Sequence, residues 1–402
     1  MGTAYHRSVS SSAVVSVSRR GADRLRAGHP WVYRSDVTSG DAEPGDLVEV
    51  RSERGRPLAW ALWSSTSQIA IRSLGHDLEP DGDDRWIGAR VAAAAACRDA
   101  MAIDASAWRL VHAEADRLPG LVVDRYGDGR DTYLVVQTLC QGMDRRLETI
   151  TRALEGRFAP RGILARNDPK ARRLEGLDET VELLSGEVPE VVEVREGSMT
   201  IGTSLWEGQK TGLFLDQREN HVAAAGYARG RALDAFTYHG GFALALAGRA
   251  SSVLALDSSS AAAAATRANV ERNRLANVEV REANVFDELR EREVARERFD
   301  TIVLDPPAFA KNRASLDRAV AGYKEINLRA LKLLAPGGHL VTCSCSYHVD
   351  EASLLGIVAE AARDAGATVA LVEKRMQSRD HPVMLGVPET YYLKCLVLRR
   401  VI

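Results

Sequence analysis

From Arg231 onward, short apolar runs alternate with stretches of helical periodicity, and each run stops at a polar residue. Ala232-Leu233 leads into Asp234, Ser252-Val253-Leu254-Ala255-Leu256 into Asp257, and later runs reach Asn284, Asp305 and Cys345. The spacing predicts helices over Ser259–Arg274, Phe286–Glu297, Leu316–Leu334 and Asp350–Ala365. Strands and helices in alternation bury both faces of a sheet when the sheet is doubly wound and mostly parallel. Ligands then bind outside the carboxyl ends of the strands, so the five polar strand ends fall along one binding edge. The last two apolar runs, Thr368–Val372 and Tyr391–Leu398, have no helix between them and are expected to form an antiparallel edge.

The stretch Arg231–Asp257 reads as strand, glycine loop, helix and strand. Gly240-Gly241 lets a ligand approach the backbone, and Asp257 closes the next strand where a carboxylate can accept both hydroxyls of a ribose. There is no G-x-G-x-x-G and no phosphate-loop Lys-Ser/Thr, so a dinucleotide site is not indicated. Just upstream, Gly208–Asn220 packs Lys210, Asp216, Gln217 and Arg218 around Gly-Leu-Phe-Leu. This block reads either as a site-lining segment or as a surface strand leading into a helix Asn220–Arg229.

Met1–Gly75 is expected to be a small β unit, with strands at 14–17, 46–50, 58–63 and 68–74 and turns at Pro44-Gly45 and Gly55-Arg56. Ten Arg against seven acidic residues give it a modest basic bias. Arg19, Arg20, Arg24 and Arg26 precede Gly28-His29-Pro30-Trp31-Val32-Tyr33, a pairing that suits phosphates and bases but reads more simply as a solvated face. The middle of the chain, 76–190, is expected to be an α+β unit with helices at Trp86–Ile103 and Met143–Phe158 and no chemical constellation of its own. Residues 191–402 complete the division.

Composition excludes little. The 402 residues carry a net charge of −2, so a basic surface must be local. No apolar run is long enough to cross a membrane and Met1–Arg20 is not a signal peptide. Five scattered cysteines point to reduced thiols in the cytoplasm. Cys343 and Cys345, with no second pair, make a poor zinc signature, so no metal is expected. Two apart, these cysteines share a face if the strand stays extended.

Asp234-x-Phe236-x-x-x-Gly240-Gly241, Asp257, Asn284 and Asp305-Pro306-Pro307-Ala308-Phe309, in that order, resemble the class I S-adenosylmethionine-dependent methyltransferases. Thr342-Cys343-Ser344-Cys345-Ser346 and Lys210-Thr211-Gly212…Asp216-Gln217-Arg218 narrow the likeness. With His29-Pro30-Trp31-Val32-Tyr33, Ala113–Gly120 and His381-Pro382-Val383, nearly the whole chain resembles the bacterial 23S ribosomal RNA methyltransferase family that makes 5-methylcytosine. The resemblance implies a PUA-like domain, a central α+β domain and a Rossmann-like methyltransferase domain. It implies S-adenosylmethionine held by Asp234, Phe236, Gly240 and Gly241 at the methionine end, Asp257 on the ribose and Asn284 near adenine. Asn284 stands where Asp is usual, and its amide is expected to accept from the adenine amino group. Asp216, Gln217, Arg218, Ser258 and Asp305 are implied to complete that site. Cys345 is implied as the nucleophile, with Asp305 on the cytosine. Implied partners are large-subunit ribosomal RNA, no membrane, and room for a homodimer.

The chemistry follows from the base. Carbon 5 of cytosine is a poor nucleophile until a thiolate adds to carbon 6, so an exposed cysteine must lie beside the methyl donor. Two other readings remain: guanine or amino-group methylation on the same fold, which needs no such cysteine, and a non-catalytic RNA-binding or assembly protein.

Overall fold

The computed structural model describes residues 13–75, 83–309 and 316–401. The front of the chain forms β1 (Ala13–Val17), α1 (Arg19–Arg26), β2 (Trp31–Tyr33), β3 (Val37–Ser39), β4 (Leu47–Ser52), β5 (Pro57–Trp63) and β6 (Ile69–Gly75). The six strands order as β2-β6-β5-β4-β1-β3. The four strands read from alternation are present. Helix α1 was not expected, because its buried face is only Gly21, Ala22 and Leu25. It absorbs the arginine cluster: Arg20 bonds Asp36 at 2.7 Å, Arg26 bonds Asp23 at 2.9 Å, and Arg24 lies 4.5 Å over the Tyr33 ring.

The middle holds α2 (Asp83–Ala100), β7 (Ala107–His112), β8 (Leu121–Tyr126), β9 (Tyr133–Thr138), α3 (Gln141–Asp144), α4 (Leu147–Phe158), β10 (Gly162–Asn167) and β11 (Thr180–Gly186). Its sheet runs β11-β10-β9-β8-β7. The helix expected over Met143–Phe158 is two helices. Arg146 sits at the break and donates to Gly45 O at 2.6 Å and Gly142 O at 2.9 Å, clamping a turn of the first unit. Leu62 and Leu74 of the first sheet pack in one core with Trp86, Ile87, Leu134 and Ile163. Arg72 on β6 pairs with Glu175 at 2.8 Å and Glu114 at 3.4 Å, all nearly buried. Arg72→Ala leaves Glu175 buried without its cation and should cost about 3–5 kcal/mol in urea unfolding. A loss below about 1 kcal/mol would mean that these units are not joined through this pair.

The hairpin β12 (Val192–Glu196) and β13 (Met199–Thr203) shares a core with Tyr126, Tyr133, Leu164 and Leu244, and so ties the central sheet to the last unit. That unit holds α5 (Arg218–Tyr227), β14 (Arg231–Ala235), α6 (Gly241–Ala247), β15 (Ser252–Asp257), α7 (Ser260–Arg272), β16 (Val278–Glu282), α8 (Val285–Val294), β17 (Phe299–Leu304), α9 (Leu316–Leu333), β18 (Leu334–Ser344), α10 (Glu351–Asp364), β19 (Val369–Met376) and β20 (Lys394–Arg400). Its strands order as β16-β15-β14-β17-β18-β20-β19. The strands β16 to β18 run parallel, and β20 is antiparallel to both of its neighbours. The antiparallel pair is as expected, but the final strand is interior and β19 is the edge. Cys395, Leu396, Val397 and Leu398 are almost fully buried, whereas β19 carries Glu373, Lys374 and Arg375. The more apolar strand therefore takes the covered position.

Candidate active site

The loop after β14 carries three residues in the left-handed region: Phe236 (φ 68°), Tyr238 (φ 51°) and Gly240 (φ 87°). Two are not glycine, and such strain persists only where the surroundings over-determine it. Here Thr237 N donates to Leu256 O at 2.9 Å, Tyr238 N to Asp257 Oδ2 at 3.0 Å, Thr266 Oγ1 to Tyr238 O at 2.7 Å, and Asn269 Nδ2 to His239 O at 2.9 Å. Asp257, half-buried, also accepts from Ser259 N at 2.9 Å. Each oxygen keeps a free lone pair for a further donor. Ser258 is exposed beside it.

Gly241 is required by contact. A Cβ there would lie 2.4 Å from the His221 ring, which Glu196 on β12 holds at 2.7 Å. Neither Glu196 nor His221 was legible as part of the site, since they come from a hairpin and a helix outside the glycine stretch.

The block Gly208–Asn220 is not the surface strand that was one of its two readings from sequence. It is a loop, a 3-10 turn (Leu215–Gln217) and the start of α5, with Asp216, Gln217 and Arg218 all buried. The central sheet grips it: Thr211 Oγ1 donates to Asp124 Oδ2 at 2.6 Å and lies 2.9 Å from Tyr126 OH. The central unit, expected to carry no chemical constellation of its own, thus holds this loop in place. Lys210 Nζ and Tyr392 OH donate to Asp216 Oδ2 at 2.6 and 2.7 Å. Gln217 Nε2 donates to Asp305 Oδ1 at 2.8 Å while Asn220 Nδ2 fixes its other end at 2.6 Å. Arg218 differs: both of its Nη atoms bond Asp380 at 3.0 Å, so its guanidinium serves a buried ion pair and not the strand-end edge.

Asp305 follows β17, half-buried. Its carboxyl is pushed up to about 7 by burial, then by the charges of Asp216 and Asp234, against the pull of His221. Asp234 is buried and raised to about 6 by desolvation, against the bond at 2.6 Å from Thr237 Oγ1. Asn284 caps α8: its Oδ1 accepts from Phe286 N at 2.9 Å and Asp287 N at 3.4 Å. The oxygen expected to meet an adenine amino group is therefore engaged, and the amide nitrogen is what faces outward as a donor, because Asn at an N-cap turns its oxygen to the helix. Phe236, Phe286 and Phe309 form an aromatic cluster with centroids 6.0–6.5 Å apart, Phe236 meeting the other two edge-to-face.

β18 ends at Ser344, so the condition for Cys343 and Cys345 to share a face fails at Cys345. Cys343 is fully buried opposite Cys395, and Cys345, just past the strand, is only partly buried. Ser344 and Ser346 both bond Tyr323 OH at 3.0 Å, which fixes the turn between them. The Cys345 thiol is raised to about 11 by burial and then by Asp305, with Lys210 opposing.

Carboxylates and one accessible thiol along the strand ends of this sheet define an S-adenosylmethionine-dependent methyltransferase. Residues 131–399 match the family model described as S-adenosylmethionine-dependent methyltransferase, and residues 15–75 match the PUA-like domain. A putative S-adenosylmethionine-dependent methyltransferase from Streptococcus mutans shares the fold, with a TM-score of 0.80 at 19% identity over 96% of this chain and 99% of that one. The chain belongs to the ribosomal RNA large subunit methyltransferase I family. It is 40% identical to the Aeromonas hydrophila member over 97% of this chain and 99% of the relative. It is 39% identical to the Vibrio cholerae member over 94% and 98%.

The residues fit the cofactor. Oδ1 of Asp234 and of Asp216 are buried with no hydrogen-bond partner among the described residues. S-adenosylmethionine brings an ammonium and a sulfonium, the charges that four clustered carboxylates lack. Among the described residues no group of side chains could hold a metal ion, and no helix is long and apolar enough to cross a membrane.

Proposed function

We propose that the chain methylates carbon 5 of a cytosine in large-subunit ribosomal RNA, with Cys345 as covalent nucleophile. The observation that carries this reading is the partly buried thiol of Cys345 beside Asp305 at the strand-end edge, while Cys140, Cys343 and Cys395 are buried and the exposed Cys97 lies on α2, in the central unit. Transfer to an amino nitrogen needs no thiol there. The ribosomal RNA substrate rests on the names of the relatives above.

The residues divide the chemistry. Cys345 as thiolate forms a bond to carbon 6, which places electron density on carbon 5. Asp305, protonated in part at neutral pH, donates to ring nitrogen 3 and takes up the charge that develops there. When bound, S-adenosylmethionine supplies the electrophilic methyl group. A water molecule then takes the carbon-5 proton, the electron pair left behind re-forms the double bond and expels the Cys345 thiolate, and nitrogen 3 returns its proton to Asp305. Asp234 and Asp216 would hold the cofactor's positive end, Asp257 the ribose, and Asn284 the adenine through its free amide nitrogen. Gly240, Gly241, Phe236, Gln217 and Ser258 shape the pocket around them. The PUA-like segment 1–75 supplies RNA affinity, residues 76–190 support the loop at Thr211, and residues 191–402 carry the chemistry. A cytoplasmic location goes with this ribosomal RNA substrate as part of the same proposal.

The guanine and amino-group readings have less support. Ala308 stands at the position where an aromatic would stack on a flipped base, and the Phe309 ring lies 4.7 Å from Tyr323 inside the aromatic cluster. The test is methylation of unmodified large-subunit RNA with methyl-labelled cofactor. Label in 5-methylcytidine is expected; label in a methylguanosine would overturn the assignment.

Asp257→Ala should weaken cofactor binding by about 2–4 kcal/mol, because charge-assisted hydrogen bonds are lost. Calorimetry on a variant that melts like wild type reads this directly. Unchanged affinity would remove Asp257 from the site.

A further inference from the structure

Lys394 opens β20, in register with Ser344, and is 2% exposed. Its Nζ donates to Ser346 O at 2.7 Å and Tyr392 O at 2.9 Å and forms no ion pair among the described residues. A buried ammonium held only by main-chain carbonyls is costly unless an anion comes to it. Two groups near it can be anionic, Asp350 and Cys345. Asp350 is exposed and its Oδ1 caps α10 through Ser353 N at 2.8 Å. Cys345 adjoins Ser346, whose carbonyl the ammonium already holds. The other charged or titratable groups facing Cys345 are Asp305 and Asp216, which oppose a thiolate, Tyr323 on α9, and Lys210, whose charge Asp216 takes at 2.6 Å.

We propose that Lys394 is a positioning residue for the methyl transfer: it fixes the Cys345–Ser346 turn and supplies the unpaired buried cation that stabilises the Cys345 thiolate. This rests on the reading of Cys345 as nucleophile. Burial brings Lys394 down to about 8 while Cys345 acts in the opposite direction, so the cation is present at neutral pH and fades above about 8. The thiol's proton leaves to solvent; no other bond changes.

The test is the pH dependence of iodoacetamide alkylation at Cys345 in the full chain, followed by peptide mass mapping. Lys394→Met should slow alkylation of Cys345 and methyl transfer near pH 7 about tenfold, as loss of a nearby opposite charge does. Its alkylation rate should converge with wild type above about pH 9, where the wild-type lysine is already neutral. Lys394→Arg should restore most of both. A folded Lys394→Met alkylated at the wild-type rate near pH 7 would overturn the proposal. If Lys394→Met does not fold, Lys394→Gln, which keeps a hydrogen-bond donor without charge, is read the same way. The alkylation profile does not need RNA. A wild-type chain that forms no RNA adduct would sink the function assigned to Cys345, whereas the alkylation rates near pH 7 would still judge the pairing of Lys394 with Cys345.

Discussion

Cys345→Ala should lower methyl transfer by about 10⁴-fold or more, because no other group in the site can form the bond to carbon 6. Cofactor affinity should stay near wild type, since Cys345 stands beyond the strand end and not in the carboxylate cluster. With 5-fluorocytosine at the target position fluorine replaces the carbon-5 proton and cannot be removed by a base, so enzyme and RNA should remain joined on a denaturing gel. Wild type and Cys343→Ala should form that adduct; Cys345→Ala should not. Cys343 is fully buried opposite Cys395, and its thiol is held well above the ordinary range, first by Cys395 and then by burial. An adduct that depended on Cys343 would keep the reaction and move its nucleophile. Near wild-type turnover by Cys345→Ala would remove covalent catalysis altogether.

Asp305→Asn should act in opposite directions on activity and stability. The folded carboxyl titrates near 7, against about 3.9 in an unfolded chain. Between those values the folded protein keeps a proton that the unfolded chain has released. Stability contributed by this group is therefore highest at low pH, falls as pH rises through the window, and levels off above about 7. Asparagine cannot ionise and escapes that loss. The variant should match wild type near pH 4 and exceed it by about 2–4 kcal/mol at pH 8, a shift of about three units discounted for partial exposure. Methyl transfer should fall by about 10²–10³-fold, because the proton donor to the base is gone. Urea unfolding at both pH values reads the first effect and turnover the second. Equal stability differences at pH 4 and pH 8 would show that Asp305 is an ordinary surface carboxylate.

The class of fold and its working edge are local properties of the chain. Apolar runs stopping at Asp234, Asp257, Asn284, Asp305 and Cys345 needed no knowledge of distant contacts, because strand and helix periods are written into consecutive residues. The glycine pair was readable for the same reason. The expectation for the segment around Asp216 was incomplete, since a buried loop without regular periodicity looks in sequence like a polar strand. Roles there depend on partners far away: Gln217 meets Asp305, and Arg218 meets Asp380. An arginine beside a glycine loop cannot announce that a carboxylate 162 residues later will take both of its nitrogens.

By itself the sequence determined a doubly wound sheet, a carboxylate-lined strand-end edge, and a cysteine at the end of the fifth parallel strand. Only the tertiary structure decided which of those groups are free to act. It turned the Asn284 oxygen onto a helix end, set Glu196 and His221 under Gly241, buried Cys343 against β20 while leaving Cys345 past the strand, and brought the Lys394 ammonium onto the Ser346 carbonyl. The reason is physical. Periodicity follows from how neighbouring side chains project along one element, whereas a charge or a hydrogen bond is committed by whatever the fold places against it.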